Sequence, residues 1–166
     1  MKNNPEQRRI DIPVLAIMLL AIVALILPGC RKDESRELYH RFQDKSWGRY
    51  NLLSFEIPFE KANTYNIYLF ARFMPDYQYE NLNFNMVMNT PSGEERINEY
   101  QMEVKSKSGN FCIECGKDSC QGTILLKKGL VLAKPGILKI EIENLTPRLS
   151  AAGVLGIGIR MVPLGK

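Results

Sequence analysis

From Trp47 onward, apolar and polar residues mostly alternate. The clearest stretch sets Leu82, Phe84, Met86 and Met88 against Asn83, Asn85 and Asn89, with Val87 the one exception. A period of two puts one set on each face of an extended chain, so this stretch predicts a strand with one buried face. The same period recurs in Tyr65, Ile67, Leu69 and Ala71, and in Leu138, Ile140 and Ile142 against Lys139, Glu141 and Glu143. It recurs again in Leu155, Ile157, Ile159 and Met161, opposite Gly156, Gly158 and Arg160. Further strands are predicted over residues 52–59, 96–104 and 122–132, with turn signals at Pro75-Asp76, Pro91-Ser92-Gly93 and Pro135-Gly136. Roughly seven or eight short strands with no helical stripe between them predict an all-β fold, an antiparallel β-sandwich of jelly-roll type. Glycines inside the last strand mark a bulge or the close approach of another backbone. No internal repeat is present, which argues against a solenoid or propeller.

The first thirty residues follow a different pattern. Lys2, Arg8 and Arg9 precede an unbroken apolar run from Val14 to Leu27, and Pro28-Gly29-Cys30 follows it. A membrane-spanning helix needs roughly 20 apolar residues, so this run reads as a lipoprotein signal peptide over residues 1–29, with Cys30 as the lipidated residue. An uncleaved single-pass anchor is the alternative. Lipidation would place a diacylglycerol on the Cys30 sulfur and a further acyl chain on its new amino group. Each buried methylene contributes about 0.8 kcal/mol, so one chain holds marginally and three hold durably. Residues 31–46 are polar apart from Leu38, Tyr39 and Phe42. They read as a tether, giving a lipidated tether over 30–46 and a single sandwich domain over 47–166.

The formal net charge of the whole chain is +4. After the signal peptide the only adjacent basic pairs are Arg31-Lys32 and Lys127-Lys128, far apart in sequence. No basic stripe is present to neutralise successive phosphates, so no nucleic-acid partner is expected.

Cys112, Cys115 and Cys120 form the sharpest local cluster. Structural zinc takes four ligands, and the only histidine, His40, falls in the predicted tether. Export favours a disulfide, with Cys112–Cys120 and Cys115–Cys120 both able to close the glycine-containing loop and one cysteine left over. A metal site and unpaired or intermolecular thiols remain alternatives. A thioredoxin-like role lacks the helix start that its motif requires. With no histidine in the predicted domain, neither a Ser-His-Asp nor a Cys-His arrangement can be built there. Glu94-Glu95 and the Glu141/Glu143 pair read as a solvated turn and a solvated strand face. No enzyme activity and no cofactor are expected. Tyr68, Tyr77 and Tyr79, with Arg72 near in sequence and Arg160 on a late strand, form a candidate interface, because tyrosine and arginine are enriched at binding surfaces; ordinary sheet packing is the alternative. Tyr77 and Tyr79 would also serve as an aromatic platform if the chain were a surface glycan- or ligand-binding lipoprotein.

A wider set of residues resembles one family. A lipidated cysteine is followed by Tyr39 and Trp47, then Arg72 with Tyr77-Gln78-Tyr79-Glu80-Asn81-Leu82, then Pro91-Ser92-Gly93. Ile124-Leu125-Leu126-Lys127-Lys128 and the closing Gly153-Val154-Leu155-Gly156-Ile157-Gly158-Ile159-Arg160 complete the series. In order and spacing these resemble the gliding-motility lipoprotein H family (GldH) of the Bacteroidetes across nearly the whole mature chain. The loop from Cys112 to Cys120 departs from the family pattern. The resemblance implies a non-enzymatic accessory or scaffold lipoprotein of the outer membrane, with envelope protein partners in a gliding or secretion apparatus. Cys30-Arg31-Lys32-Asp33-Glu34 looks like an export signal for the outer face of that membrane, so both the periplasmic and the cell-surface face are open.

Overall fold

A computed structural model describes residues 35–164. The signal-peptide reading over 1–29, Cys30 and the Lys32-Asp33-Glu34 motif lie outside the described residues. The strands in chain order are β1 (Arg36–Arg41), β2 (Ser46–Gly48), β3 (Leu53–Phe59), β4 (Asn63–Phe73), β5 (Asn81–Asn89), β6 (Glu95–Glu103), β7 (Glu114–Cys115), β8 (Cys120–Leu132), β9 (Gly136–Asn144), β10 (Ser150–Ala152) and β11 (Val154–Pro163). They form a five-stranded sheet in the order β1-β11-β4-β8-β7, a four-stranded sheet β3-β9-β5-β6, and a small pair β10-β2. Every pairing is antiparallel.

Leaving aside the short β2, β7 and β10, eight long strands remain. In chain order the first, eighth, third and sixth lie side by side in one sheet, and the second, seventh, fourth and fifth in the other. That is the strand order of an eight-stranded jelly roll, so the sandwich expected from the alternation is the one observed. Among the described residues, no helix is long and apolar enough to cross a membrane.

The core follows from the same alternation. On β3, Leu53, Phe55, Ile57 and Phe59 are buried while Ser54, Glu56 and Pro58 are exposed. On β5, Leu82, Phe84, Met86 and Met88 are buried. These side chains join Ile67, Leu69, Ala71 and Phe73 of β4 and Ile157, Ile159 and Met161 of β11 in one hydrophobic cluster between the sheets. Each such side chain taken out of water contributes roughly 1.5–3 kcal/mol against the entropy of ordering the chain.

Two expectations need correction. The segment over 31–46, read as a tether, contains β1, whose Arg36 to Arg41 pair with Met161 to Gly156 of β11. Leu38 packs against the core and Phe42 is buried, so the fold begins well before Trp47. His40 therefore belongs to the sandwich, its ring 5.1 Å from that of Phe42. The second correction concerns Leu155, which is not the first buried residue of the last strand. The register shifts between Val154 and Gly156, leaving Leu155 as the extra residue of a bulge while Val154 occupies the core. The Leu155 carbonyl accepts a hydrogen bond from the Phe42 amide at 3.0 Å, which ties the end of β1 to that bulge.

Candidate functional site

The outer face of the five-stranded sheet carries the most organised group of polar and aromatic side chains. Register alone lines them up in three rungs across the strands. Glu37, Arg160, Tyr68 and Leu125 make one, Tyr39, Gly158, Phe70 and Thr123 the next, and Arg41, Gly156, Arg72 and Gln121 the third.

The two glycines of β11 make this face possible. A Cβ on Gly158 would lie 2.1 Å from Cζ of Phe70, and one on Gly156 would lie 2.2 Å from the Tyr39 hydroxyl oxygen. Without those atoms the rings settle onto the sheet, and Tyr39 and Phe70 stack with centroids 5.7 Å apart and planes 11° from parallel. Phe70 is only 1% exposed although it faces away from the core. The Arg72 guanidinium lies 5.3 Å above the Tyr39 ring and the Arg160 guanidinium 5.3 Å above the Phe70 ring. The four side chains thus form a continuous stack of cation, ring, ring and cation.

Each arginine is aimed by one further partner. Nε of Arg160 donates to a Glu37 carboxylate oxygen at 2.7 Å, and Nε of Arg72 donates to the Gln121 amide oxygen at 3.1 Å. Among the described residues the terminal nitrogens of both guanidiniums have no hydrogen-bond partner. Burial raises the Tyr39 phenol above its ordinary pKa, opposed by the positive charges of Arg72 and Arg41. The group offers charge and a stacking surface, and none of its side chains is a nucleophile placed beside a base.

Of the four residues predicted to form an interface, Arg72 and Arg160 are brought to this face. Tyr77 and Tyr79 are not. Tyr77 is 1% exposed, with its ring 4.7 Å from that of Phe73, and it cannot serve as a platform. The loop carrying it folds beneath the end of the sandwich, where the Tyr77 amide donates to the Met74 carbonyl and Gly153 packs on its ring. Tyr79 sits edge-on to Tyr77 with the Arg148 guanidinium 5.4 Å above its ring. Tyr39, Phe70, Glu37 and Gln121 were missed by sequence reasoning. The available signal was the glycine pair in β11, which announces a close neighbour without naming it.

The cysteines lie at the far edge of the same sheet. Cys115 and Cys120 are directly opposed in β7 and β8 and form a disulfide. Cys112 is exposed and free, its thiol 3.7 Å from a Glu103 carboxylate oxygen. Desolvation first, and then the Glu103 charge and hydrogen bond, raise its pKa above the ordinary thiol value. His40 stands on β1 at the opposite edge, three strands from β8, so the two cannot share a metal ion. Among the described residues, no group of three or more histidine, cysteine or acidic side chains could hold one. An open cleft of about 520 Å³ lies beside this loop, lined in part by Phe111, Cys112, Glu114 and Gln121. The carboxylates singled out from sequence are surface groups: Glu94 pairs with Arg96 at 2.5 Å and Glu141 with Lys139 at 2.8 Å.

Comparison with known proteins supplies the context for this geometry. A family model described as GldH lipoprotein matches residues 34–161. No curated protein sequence matches the chain. Among solved structures, the Eiger TNF of S. frugiperda is similar at 10% identity and a TM-score of 0.40, over 80% of this chain and 92% of that one. The dimeric latent PorU of Porphyromonas gingivalis is similar at 8% identity and a TM-score of 0.34, over 78% of this chain. The matched region spans 13% of that PorU chain.

Proposed function

The chain belongs to the GldH lipoprotein family, and from that premise we propose a non-enzymatic accessory lipoprotein that holds partner proteins at the outer membrane. Acyl chains on Cys30 would fix it there, and its sheet faces and loops would do the binding. The observation that carries this reading is the extent of the family match, which runs from just ahead of β1 to Met161 in β11 and so takes in nearly the whole sandwich. The geometry is consistent with it. The best-organised surface offers two oriented guanidiniums and a ring stack, which suits recognition of a surface and not the making or breaking of bonds.

The test has two parts. Protein extracted from membranes in mild detergent is expected to begin at Cys30 and to carry the mass of a diacylglyceryl group plus one acyl chain, while Cys30→Ser is recovered unlipidated. The same gentle extraction should yield one or a few stoichiometric envelope proteins with the wild-type chain. Recovery of the chain alone, under conditions that preserve other envelope complexes, would count against the scaffold role.

A further inference from the structure

The two most exposed large apolar side chains among the described residues are Tyr50, at 84%, and Leu149, at 79%. They come from opposite halves of the sequence and meet at one end of the sandwich. The β2–β10 pair, with Gly48 opposite Ser150, continues into a hydrogen bond from the Arg49 amide to the Leu149 carbonyl at 2.9 Å. A tight turn follows, closed by the Asn51 amide on the Gly48 carbonyl at 3.1 Å, and it lifts Tyr50 outward with Leu52, itself 55% exposed.

This projection stands on a rigid base. Trp47 is fully buried, and its indole N–H donates to the Asn51 carbonyl at 2.9 Å. Fully buried Asn144 donates to the Trp47 carbonyl at 2.6 Å and accepts from the Thr146 amide at 2.8 Å. β2 and the turn after it are therefore held from below, and β10 is held through its pairing with β2. Single exposed apolar residues are ordinary on a protein surface, but Tyr50 and Leu52 at the turn stand beside Leu149 on the backbone bonded to it, so three exposed apolar residues are brought to one place. Loops fixed to a stiff scaffold are where binding residues concentrate.

We infer that Tyr50, Leu52 and Leu149 form a knob that docks into an apolar recess of a partner protein whose rim carries carboxylates. The charge on the page selects that chemistry. Arg49 and Arg148 flank the knob, both exposed, and neither forms an ion pair among the described residues. Tyrosine and arginine around a small apolar centre make up the usual composition of an energetic hot spot. Position agrees as well: the chain enters the sandwich at the Arg36 end of β1, whereas the knob lies at the other end, beyond Arg41. This inference rests on the scaffold reading and names the surface that would serve it.

The test uses the full chain in its own cells, with a photo-crosslinker as the probe. Tyr50→p-benzoylphenylalanine and Leu149→p-benzoylphenylalanine are expected to crosslink to one and the same polypeptide. Ile137→p-benzoylphenylalanine, at a position 52% exposed on the outer face of the four-stranded sheet, should not. Arg148→Glu should lower the yield at position 50 by about tenfold, the effect of losing roughly 1.4 kcal/mol of binding. Crosslinks only to lipid, only to a second copy, equally from Ile137, or to nothing would each overturn the knob. A copurifying protein that survives Tyr50→Ala with Leu149→Ala would overturn it too and leave the scaffold reading standing. Absence of any copurifying protein would remove the scaffold reading itself.

Discussion

Asn144 and Trp47, 97 residues apart in sequence, are joined by a hydrogen bond from the Asn144 amide nitrogen to the Trp47 carbonyl at 2.6 Å. Both residues are fully buried. The asparagine bonds in two directions, because its side-chain oxygen also accepts from the Thr146 amide. Asn144→Ala leaves a buried carbonyl and a buried N–H without partners, and each such group costs about 1–3 kcal/mol. The expected outcome is a loss of about 3 kcal/mol, measured as a lower urea midpoint at unchanged slope, with faster amide exchange at Arg49 and Asn51.

Gly158→Ala tests the outer-face stack. The new methyl would meet the Phe70 ring and the Leu38 carbonyl oxygen, 2.7 Å from its ideal position, and only the ring can yield. Overpacking of this kind costs about 1–3 kcal/mol. In Phe70→Ala the nearer of the two obstacles is gone while the Leu38 carbonyl stays, so the double variant should be less destabilised than the sum of the two singles. Strict additivity in thermal or urea unfolding would refute the account of why glycine occupies that strand.

Tyr77 buries a hydroxyl that finds no hydrogen-bond partner among the described residues. Burial chiefly, and Tyr79 beside it, push the phenol far above its ordinary pKa of 10.0. Tyr77→Phe removes the orphaned group and is expected to stabilise the fold by about 1 kcal/mol. A pKa raised by folding stabilises the protein fully below the unfolded value and is lost as pH climbs past it. The wild type should therefore lose stability above pH 10.0 more steeply than Tyr77→Phe, a difference that denaturant titration at alkaline pH reads directly.

Cys112 should behave as a slow thiol. Its pKa is raised above the ordinary 9.0, so at pH 8 less of it is thiolate than in an unstructured peptide. Alkylation by iodoacetamide is expected to be slower than for a peptide control and to accelerate in Glu103→Gln. Peptide mapping without reductant should show the label on Cys112 and the bridge between Cys115 and Cys120.

A fragment starting at Trp47 is expected to fare far worse than one starting at Ser35. It loses β1 together with buried Phe42, exposes the flank of β11, and forfeits on the order of 3–5 kcal/mol from the phenylalanine alone. Thermal unfolding and light scattering of the two fragments side by side will check this.

Seven of the eight long strands were readable from the sequence, most of them because apolar residues facing the other sheet alternate with polar ones facing water, whereas β6 buries only Met102 fully and exposes Ile97. β1 was not readable. As an edge strand it carries Arg36, Glu37, His40 and Arg41, and with only Leu38 directed at the core its composition is that of a linker. Tyr77 misled for the opposite reason: it follows Pro75-Asp76 in a turn, where exposure is the ordinary expectation, and only the tertiary fold presses its ring onto Phe73. Arg72 and Arg160 were recoverable because both stand opposite apolar positions in alternating strands, though their ring partners depend on register. Three cysteines allow three single bridges, and the sequence left the pairing open, with the two that end at Cys120 able to close the glycine-containing loop. The choice of Cys115 comes from the β7–β8 register, which no spacing rule supplies.

The pairing of β1 with β11 also decides how this molecule bears load. If the chain is anchored ahead of β1 and gripped at the Tyr50 turn, as proposed, the two points of attachment fall beyond opposite ends of β1. The β1–β11 ladder is then strained lengthwise, so its hydrogen bonds must give way together and not peel one after another. A body mounted in this way would transmit tension between its two attachment points.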